Sequence, residues 1–437
     1  MNASYRSAKQ KMKFYTVLIL LTCLYTFNLN GQQNVTLFGR SVNMEQVQKK
    51  SAEGNAAAML LLSVMYIKGE GVAKDTAEGY KWLEKSAKAG NAFAMNELAI
   101  LTKHNKIAMQ DSGKSILWLL ASAELGYTRA MINLGGIYMK GTELLKDSIE
   151  ALRWYTKAAE KGDPMAMQIL AFLYDNGKEV KKDSVLALNW YKKAADAGDA
   201  NAQNNLGLKY RKGRWVKRDY LEALRLFRKS AASGNPFGML NMGIMYEYGK
   251  GVEQDNAKAL EWYFKAAEKT NKTGACYHIG QFYEFGKGGL GIDIQEAIKW
   301  YKKTEVKEVF SAGMSRLGNI YEFGKGNFSK DAEMAKKYYQ AAADGGNIMG
   351  MYYLGHLYEL NQNKEQAENY YQKAIFLFKK EIEKSMDDTE LMMGLAIMYE
   401  NGNGMEKNIN EAIKLYETAA VLGNEEARLK LKELKLK

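Results

Sequence analysis

The chain has 437 residues, 47% of them apolar, with two prolines, two cysteines, three histidines and a formal net charge of +12. Two cysteines exclude a disulfide-framed fold, and the absence of Cys pairs or a His-Glu-x-x-His run excludes the common zinc sites. The 62 basic and 50 acidic residues are interleaved, which argues against a nucleic-acid-binding domain.

Residues 1–31 read as a secretory signal. Lys9, Lys11 and Lys13 precede an apolar run from Phe14 to Leu24 that is too short for an ordinary membrane span. Met12 serves equally well as a start, and cleavage is expected near Gly31. Losing Arg6, Lys9, Lys11 and Lys13 with the signal lowers the formal charge from +12 to +8. Leu20, Leu21, Thr22 and Cys23 also resemble a lipoprotein box with Thr in place of a smaller residue. Lipidation at Cys23 is therefore the competing outcome, and an uncleaved anchor a further one. In each case the remainder is exported, periplasmic or secreted. Residues 32–43 read as a linker, and no part of the chain reads as a sheet.

From residue 44 to 437 one short motif recurs. A Leu-Gly or Leu-Ala step followed three residues later by Tyr has its second residue at Ser63, Ala99, Gly135, Ala171, Gly207, Gly243, Gly280, Gly318, Gly355 and Ala396. The first five intervals are 36 residues and the others 37, 38, 37 and 41. Such a period marks stacked units, each burying its apolar face only against neighbours. In the third unit Ala130, Met131, Leu134, Gly135 and Tyr138 make one face of a first helix, which Gly141 ends. Asp147 and Glu150 then open a second helix as a reciprocal capping box, with Ala151, Trp154, Tyr155, Ala158 and Ala159 facing inward and Gly162 closing it. Asp75/Glu78, Asp219/Glu222, Asp293/Glu296 and Asn408/Glu411 repeat that box. Residues 46–54 match the tail of a second helix, so the array opens on a half-unit cap. The ninth unit lacks the Gly-rich loop after Tyr358 and extends its second helix through Phe376, Phe378 and Ile382, where a local bend is expected. Residues 425–437 suit a final capping helix.

The unit A-M-x-x-L-G-x-x-Y, then G-x-G-V, then D, then A-x-x-W-Y-x-K-A-A-x-x-G resembles the Sel-one-like repeat, a relative of the tetratricopeptide repeat. The resemblance spans nearly all of 44–437. It implies an all-α, α/α superhelical solenoid of about ten two-helix repeats, acting as a scaffold for protein partners. The cysteine-rich branch of that family ties paired helices with disulfides. This chain departs from that branch, since Cys276 alone remains once the signal is gone, at a position otherwise held by Met.

Three ladders appear when the units are aligned. Met59, Met95, Met131, Met167, Met239, Met314, Met351 and Met392 read as gap-filling packing, one per unit, in preference to a Cu(I) array. Gln203 and Cys276 fill the remaining two units. Just before the Leu-Gly step stand Asn133, Asn205 and Asn241, with Glu97, His278 and Arg316 elsewhere. In tetratricopeptide domains an Asn there helps clamp a peptide carboxylate, but the clamp's Lys is replaced by Ala312, and hydrogen bonding at helix ends is the competing reading. After the Tyr stand Glu247, Glu284, Glu322, Glu359 and Glu400, where earlier units have Ile67, Lys103, Met139, Asp175 and Arg211. Tyr248, Phe285 and Phe323 follow in units six to eight. These residues read either as an acidic, aromatic-lined groove or as local ion pairs with Lys250, Lys287 and Lys325.

The expectation is an exported, non-enzymatic adaptor that binds a protein or peptide partner, basic in character, along its concave face, with an envelope glycan as the other ligand. Membrane contact is expected only through the signal or lipidated Cys23. No nucleic acid, cofactor or metal is expected. The competing function is an envelope polymer hydrolase, β-lactamase-like or peptidoglycan-acting. It needs two titratable groups in one compact cluster, and His104, His278 and His356 sit in separate units. Gly286 to Gly291 formally matches a dinucleotide fingerprint but follows a helix, so it reads as an interhelix loop.

Overall fold

A computed structural model describes residues 34–37, 40–103, 112–270, 274–303, 307–326, 328–384, 388–422 and 424–435. The signal, Cys23 and His104 lie outside these residues. Among those described there are twenty-two helices and one two-stranded hairpin. The hairpin falls in the segment read as a linker and corrects the expectation of no sheet. Asn34–Leu37 pairs antiparallel with Arg40–Asn43, with Asn34 opposite Asn43 and Leu37 opposite Arg40. Val35, Thr36 and Val42 are β-branched and suit a strand, but four-residue strands are too short to announce themselves by alternation.

The chain forms two compact units, Met1–Ala202 and Gln203–Lys437. In the first, Met44–Ala52 is capped by Asn43, whose side chain accepts from the Gln46 amide at 2.8 Å, and lays Met44 and Val47 against Ala58, Leu61, Leu62 and Met65. Helix pairs follow: Ala56–Lys68 with Thr76–Lys88, Ala92–Lys103 with Ser112–Glu124, Thr128–Lys140 with Ser148–Glu160, and Pro164–Asn176 with Ser184–Asp196. The second unit continues the pattern from Tyr220–Ala232 through Ile409–Val421. Its last helix, Glu425–Lys435, covers Tyr416, Ala419 and Ala420 with Ala427, Leu431 and Leu434. The ninth pair departs in length: Lys364–Lys384 runs for 21 residues where most second helices run for 13. The three-residue turn before it is closed by Gln362 in the left-handed region, φ +62°.

Each pair is held by a close approach of small residues around one large one. In the third, Ala151 and Ala158 are fully buried and bring the second helix onto Met131, Leu134 and Ile137, while Trp154 and Tyr155 fill the remaining space. Burying a side chain of Leu size stabilises by about 1.5–3 kcal/mol, so these layers supply most of what each pair gains.

The capping differs from the reciprocal box in one respect. Asp147 does accept from the Ile149 and Glu150 amides at 3.0 and 2.9 Å. Glu150, however, turns away to Arg153 at 3.2 Å, as Glu78 turns to Lys81 and Glu222 to Arg225. The reason is that the cap's own amide is already used. Asp147 N–H donates to the carbonyl of Tyr138 at 2.9 Å, closing the loop between the helices. Asp75, Asp183, Asp219, Asp255, Asp293, Asp331 and Asn408 make the same bond to the Tyr carbonyl of their own repeats.

Candidate functional site

The glycine of the Leu-Gly step makes room for an aromatic ring from the second helix. A Cβ on Gly243 would stand 2.4 Å from Tyr263, on Gly280 2.6 Å from Tyr301, and on Gly318 2.3 Å from Tyr339. Tyr191, Tyr263, Tyr301, Tyr339 and Tyr416 are among the largest fully buried side chains. A buried hydroxyl needs a partner, and the Glu after the first-helix Tyr supplies it. Tyr263 donates to Glu247 at 2.6 Å, Tyr301 to Glu284 at 2.7 Å, Tyr339 to Glu322 at 2.6 Å, Tyr371 to Glu359 at 2.7 Å and Tyr416 to Glu400 at 2.8 Å. Asp175 accepts from Tyr191 at a longer 3.3 Å. The Glu ladder is thus first a set of bolts between the two helices of each repeat.

The sequence carried that signal. Units whose second helix has Leu83, Leu119 or Phe227 at this position, with no hydroxyl, carry Ile67, Lys103 or Arg211 in place of the acid. Only Tyr155, opposite Met139, has a hydroxyl without an acid in the ladder, and burial pushes it up to about 12.

Cations from the following repeat complete the network. Glu247, 5% exposed, has Lys287 Nζ at 3.6 Å and His278 Nδ1 at 3.3 Å, with the imidazole stacked on Tyr263 at 4.6 Å. Glu284, 4% exposed, takes both arms of Arg316 at 2.7 and 3.0 Å and Lys325 Nζ at 3.0 Å. Burial works to raise Glu247, but the close approach of His278, the hydrogen bond from Tyr263 and the charge of Lys287 outweigh it and hold the carboxyl below the usual range. Burial likewise opposes the charges and hydrogen bonds of Arg316, Tyr301 and Lys325 at Glu284, and the carboxyl ends lower. Ion pairing is therefore real, but it runs from one repeat to the next. Lys250, expected beside Glu247, instead stands 5.6 Å over the ring of Tyr220. Glu322 lies 3.7 Å from His356, and Glu359 is exposed, 3.4 Å from Asn403.

The Asn ladder also links repeats. Asn133 donates to Asn96 at 2.9 Å, and Asn241 donates to Asn204 at 2.8 Å while accepting from Arg211 at 3.0 Å. Asn205 accepts from Asn204 at 3.4 Å. Glu97, bonded by Asn96 at 3.0 Å, is raised by burial. These bonds engage Asn133 and Asn241, and Arg316 pairs with Glu284. Met95, Met131, Met239, Met314 and Met392 are buried in packing, as is Cys276, whose thiol burial raises. Gly286, at φ +62°, ends Ala275–Phe285, which places the Gly286 to Gly291 run in an interhelix loop.

What remains open on this face is aromatic. Tyr248, Phe285 and Phe323 are 52%, 45% and 53% exposed, with the Arg316 guanidinium 4.9 Å over Phe285. Tyr277 lies edge-on to His278 at 5.9 Å, and Tyr353 stacks on Tyr339 at 5.2 Å. Glu390, in the first turn of Thr389–Asn401, feels the charges of Asp388, His278, Arg316 and Glu247, and it acts in turn on Tyr248 and Tyr277. Glu390 is thus within electrostatic reach of His278, Arg316 and Glu247. Partial desolvation and the charge of Asp388 raise Glu390, whose side chain stays exposed. Tyr277, Tyr353 and Glu390 were not foreseen, because only the curvature of the unit brings repeat ten to repeats six to eight. Glu247 and His278 also come together unannounced, but the carboxylate is held as a packing anion by its partners.

No group of three or more His, Cys, Asp or Glu suited to a metal occurs among the described residues. Comparison with known families matches the Sel1 repeat ten times, at 56–91, 92–127, 128–163, 164–199, 200–235, 236–271, 273–304, 311–347, 348–375 and 389–424. Among solved structures, a protective antigen of uropathogenic Escherichia coli strains displaying an SLR fold is 28% identical, with a TM-score of 0.62 over 90% of this chain and 82% of that one. A Sel1 repeat protein of Oxalobacter formigenes is 25% identical over 94% and 99%, with a TM-score of 0.48. Among curated proteins, DAP3-binding cell death enhancer 1 of Rattus norvegicus is 33% identical over 93 residues, 21% of this chain. The match spans only 17% of that relative's length.

Proposed function

Because the chain belongs to the Sel1 repeat family, whose members typically serve as protein–protein interaction scaffolds, we propose that it is an exported adaptor without catalytic activity of its own. The partner, a protein or peptide, lies in the groove of the second unit. The observation that carries this reading is the row of exposed Tyr248, Phe285 and Phe323, one in each of three successive repeats, with the Arg316 guanidinium over Phe285. Half-exposed rings beside charged groups are the anchors on which interfaces concentrate their energy. The acidic ladder contributes indirectly: Glu247 and Glu284 orient Arg316, Lys287 and Lys325 around the rings, and Glu359 and Glu390 remain to meet a basic side chain.

A photo-crosslinking amino acid placed at Tyr248, Phe285 or Phe323 tests this in cells that make the protein. One and the same partner should be captured from all three positions and not from Ile149, which is more exposed than any of them. Capture of that partner from Ile149 alone, or loss of capture in Glu247→Gln but not in a Phe285→Ala/Phe323→Ala variant, contradicts the assignment.

A further inference from the structure

We propose that the loop between the two helices of repeat five is a docking surface for an anionic phospholipid bilayer. From 209 to 218 the sequence holds Lys209, Arg211, Lys212, Arg214, Lys217 and Arg218 and no acid, a charge equal to half of the chain's formal +12. Lys212, Arg214, Lys217 and Arg218 are exposed, and none has a carboxylate partner among the described residues. By contrast Lys146, in the corresponding loop of repeat three, meets Glu179 at 2.6 Å.

Two further features separate this loop from its counterparts. Trp215 stands where Gly71, Gly251 and Gly404 stand in other repeats, and like them it is left-handed, at φ +68°. A bulky residue rarely takes that conformation, and its persistence at a functional surface is a recognised use of local strain. Its indole lies under Lys209 Nζ at 4.1 Å and Arg214 Cζ at 5.2 Å, which holds two cations beside one ring. The loop also rims an open depression of about 740 Å³, where Lys217 and Arg218 border Val216, Tyr220 and Leu221; the one acid in its lining, Asp219, caps the next helix by accepting from the Glu222 amide. Leu221 is 71% exposed.

Charge complementarity selects an anion. The exposed aliphatic and the aromatic-lined depression beside the cations select an anion attached to hydrocarbon, because a soluble polyanion gains nothing from Leu221. Basic side chains near an anionic leaflet with an apolar residue dipping below the headgroups bind through both terms. Neither the four exposed cations nor Leu221 belongs to the aromatic row, so this proposal does not depend on the partner-binding one.

The test is co-sedimentation of the full chain with phosphatidylcholine vesicles, plain or mixed with phosphatidylglycerol, over rising sodium chloride. Binding to plain vesicles is the shared baseline, and the readout is the gain on adding phosphatidylglycerol. Replacing Lys212, Arg214, Lys217 and Arg218 by Gln should weaken that gain on the order of a thousandfold at low salt, given the contribution of each cation near a charged leaflet. Leu221→Ser should weaken it by roughly threefold to tenfold. Replacing Lys192, Lys229, Lys269 and Lys337 by Gln removes the same charge elsewhere and should leave it within about twofold, since these exposed lysines lie outside the loop. Equal loss from both quadruple variants means diffuse net charge and overturns the proposal. So does full displacement by dextran sulfate with no effect of Leu221→Ser, which marks a soluble-polyanion site.

Discussion

Glu284 is the clearest place to ask what the bolts contribute. It accepts from Tyr301 at 2.7 Å, from Arg316 at 2.7 and 3.0 Å and from Lys325 at 3.0 Å, and its side chain is 1% exposed. Tyr301→Phe removes one hydrogen bond to a charged acceptor that keeps its other partners, a loss of about 1.5–3 kcal/mol. Glu284→Gln strips the anion from Arg316. Breaking a buried pair costs about 3–5 kcal/mol, but Arg316 is 25% and Lys325 34% exposed, so water recovers part of it and about 2–4 kcal/mol is expected. Tyr191→Phe is the internal control, because its bond to Asp175 is 3.3 Å long and should be worth about 0.5–1 kcal/mol. Hydrogen exchange read by mass spectrometry suits the assay, since a repeat array opens locally and one global unfolding energy would blur the three sites. Protection in peptides from Ala275–Phe285 and Ile294–Lys303 should rise in the order Glu284→Gln, Tyr301→Phe, wild type. The pH dependence follows from the depressed carboxyl of Glu284: its contribution is present above the unfolded carboxylate value, about 4.3, and is lost as pH falls through the lower folded value. The gap between wild type and Glu284→Gln should therefore narrow in acid. Equal loss from Tyr191→Phe and Tyr301→Phe, or a gap that widens in acid, refutes the reasoning.

Gly318→Ala should destabilise by about 1–3 kcal/mol through overpacking, since its Cβ would meet Tyr339 at 2.3 Å. Gly162→Ala, at φ +87° in open space, should cost only about 1–2 kcal/mol from the left-handed backbone; urea melts of both decide whether contact or conformation dominates. The Glu322 carboxylate, 3.7 Å away, raises His356, burial opposes it, and the charge of Glu359 adds to the rise. Its contribution to stability is therefore complete below the unfolded imidazole value and lost as pH climbs through the higher folded one. NMR titration should place His356 above an ordinary imidazole, and Glu322→Gln should remove the shift. N-terminal sequencing of the exported protein should begin near residue 32, whereas acylation abolished by Cys23→Ser would replace cleavage near Gly31 by a lipid anchor.

The sequence by itself determined whatever is local and periodic. The 36-residue spacing, the Asp caps at 75, 147 and 219 and the loop and inter-repeat glycines each act within a few residues of chain, so one repeat carries the whole signal. The long second helix of the ninth unit was legible for the same reason, as was the Met ladder's packing role. Tertiary structure alone decided what the polar ladders do. Glu284 faces Tyr301 of its own repeat and Arg316 and Lys325 of the next because stacking sets which side chains share a buried space. Fixed spacing names those residues without giving their orientation. Glu390 reaches the neighbourhood of His278 and Arg316 through the accumulated small rotations of several repeats. Each rotation depends on side-chain volumes at a helix contact, and no linear pattern records their sum.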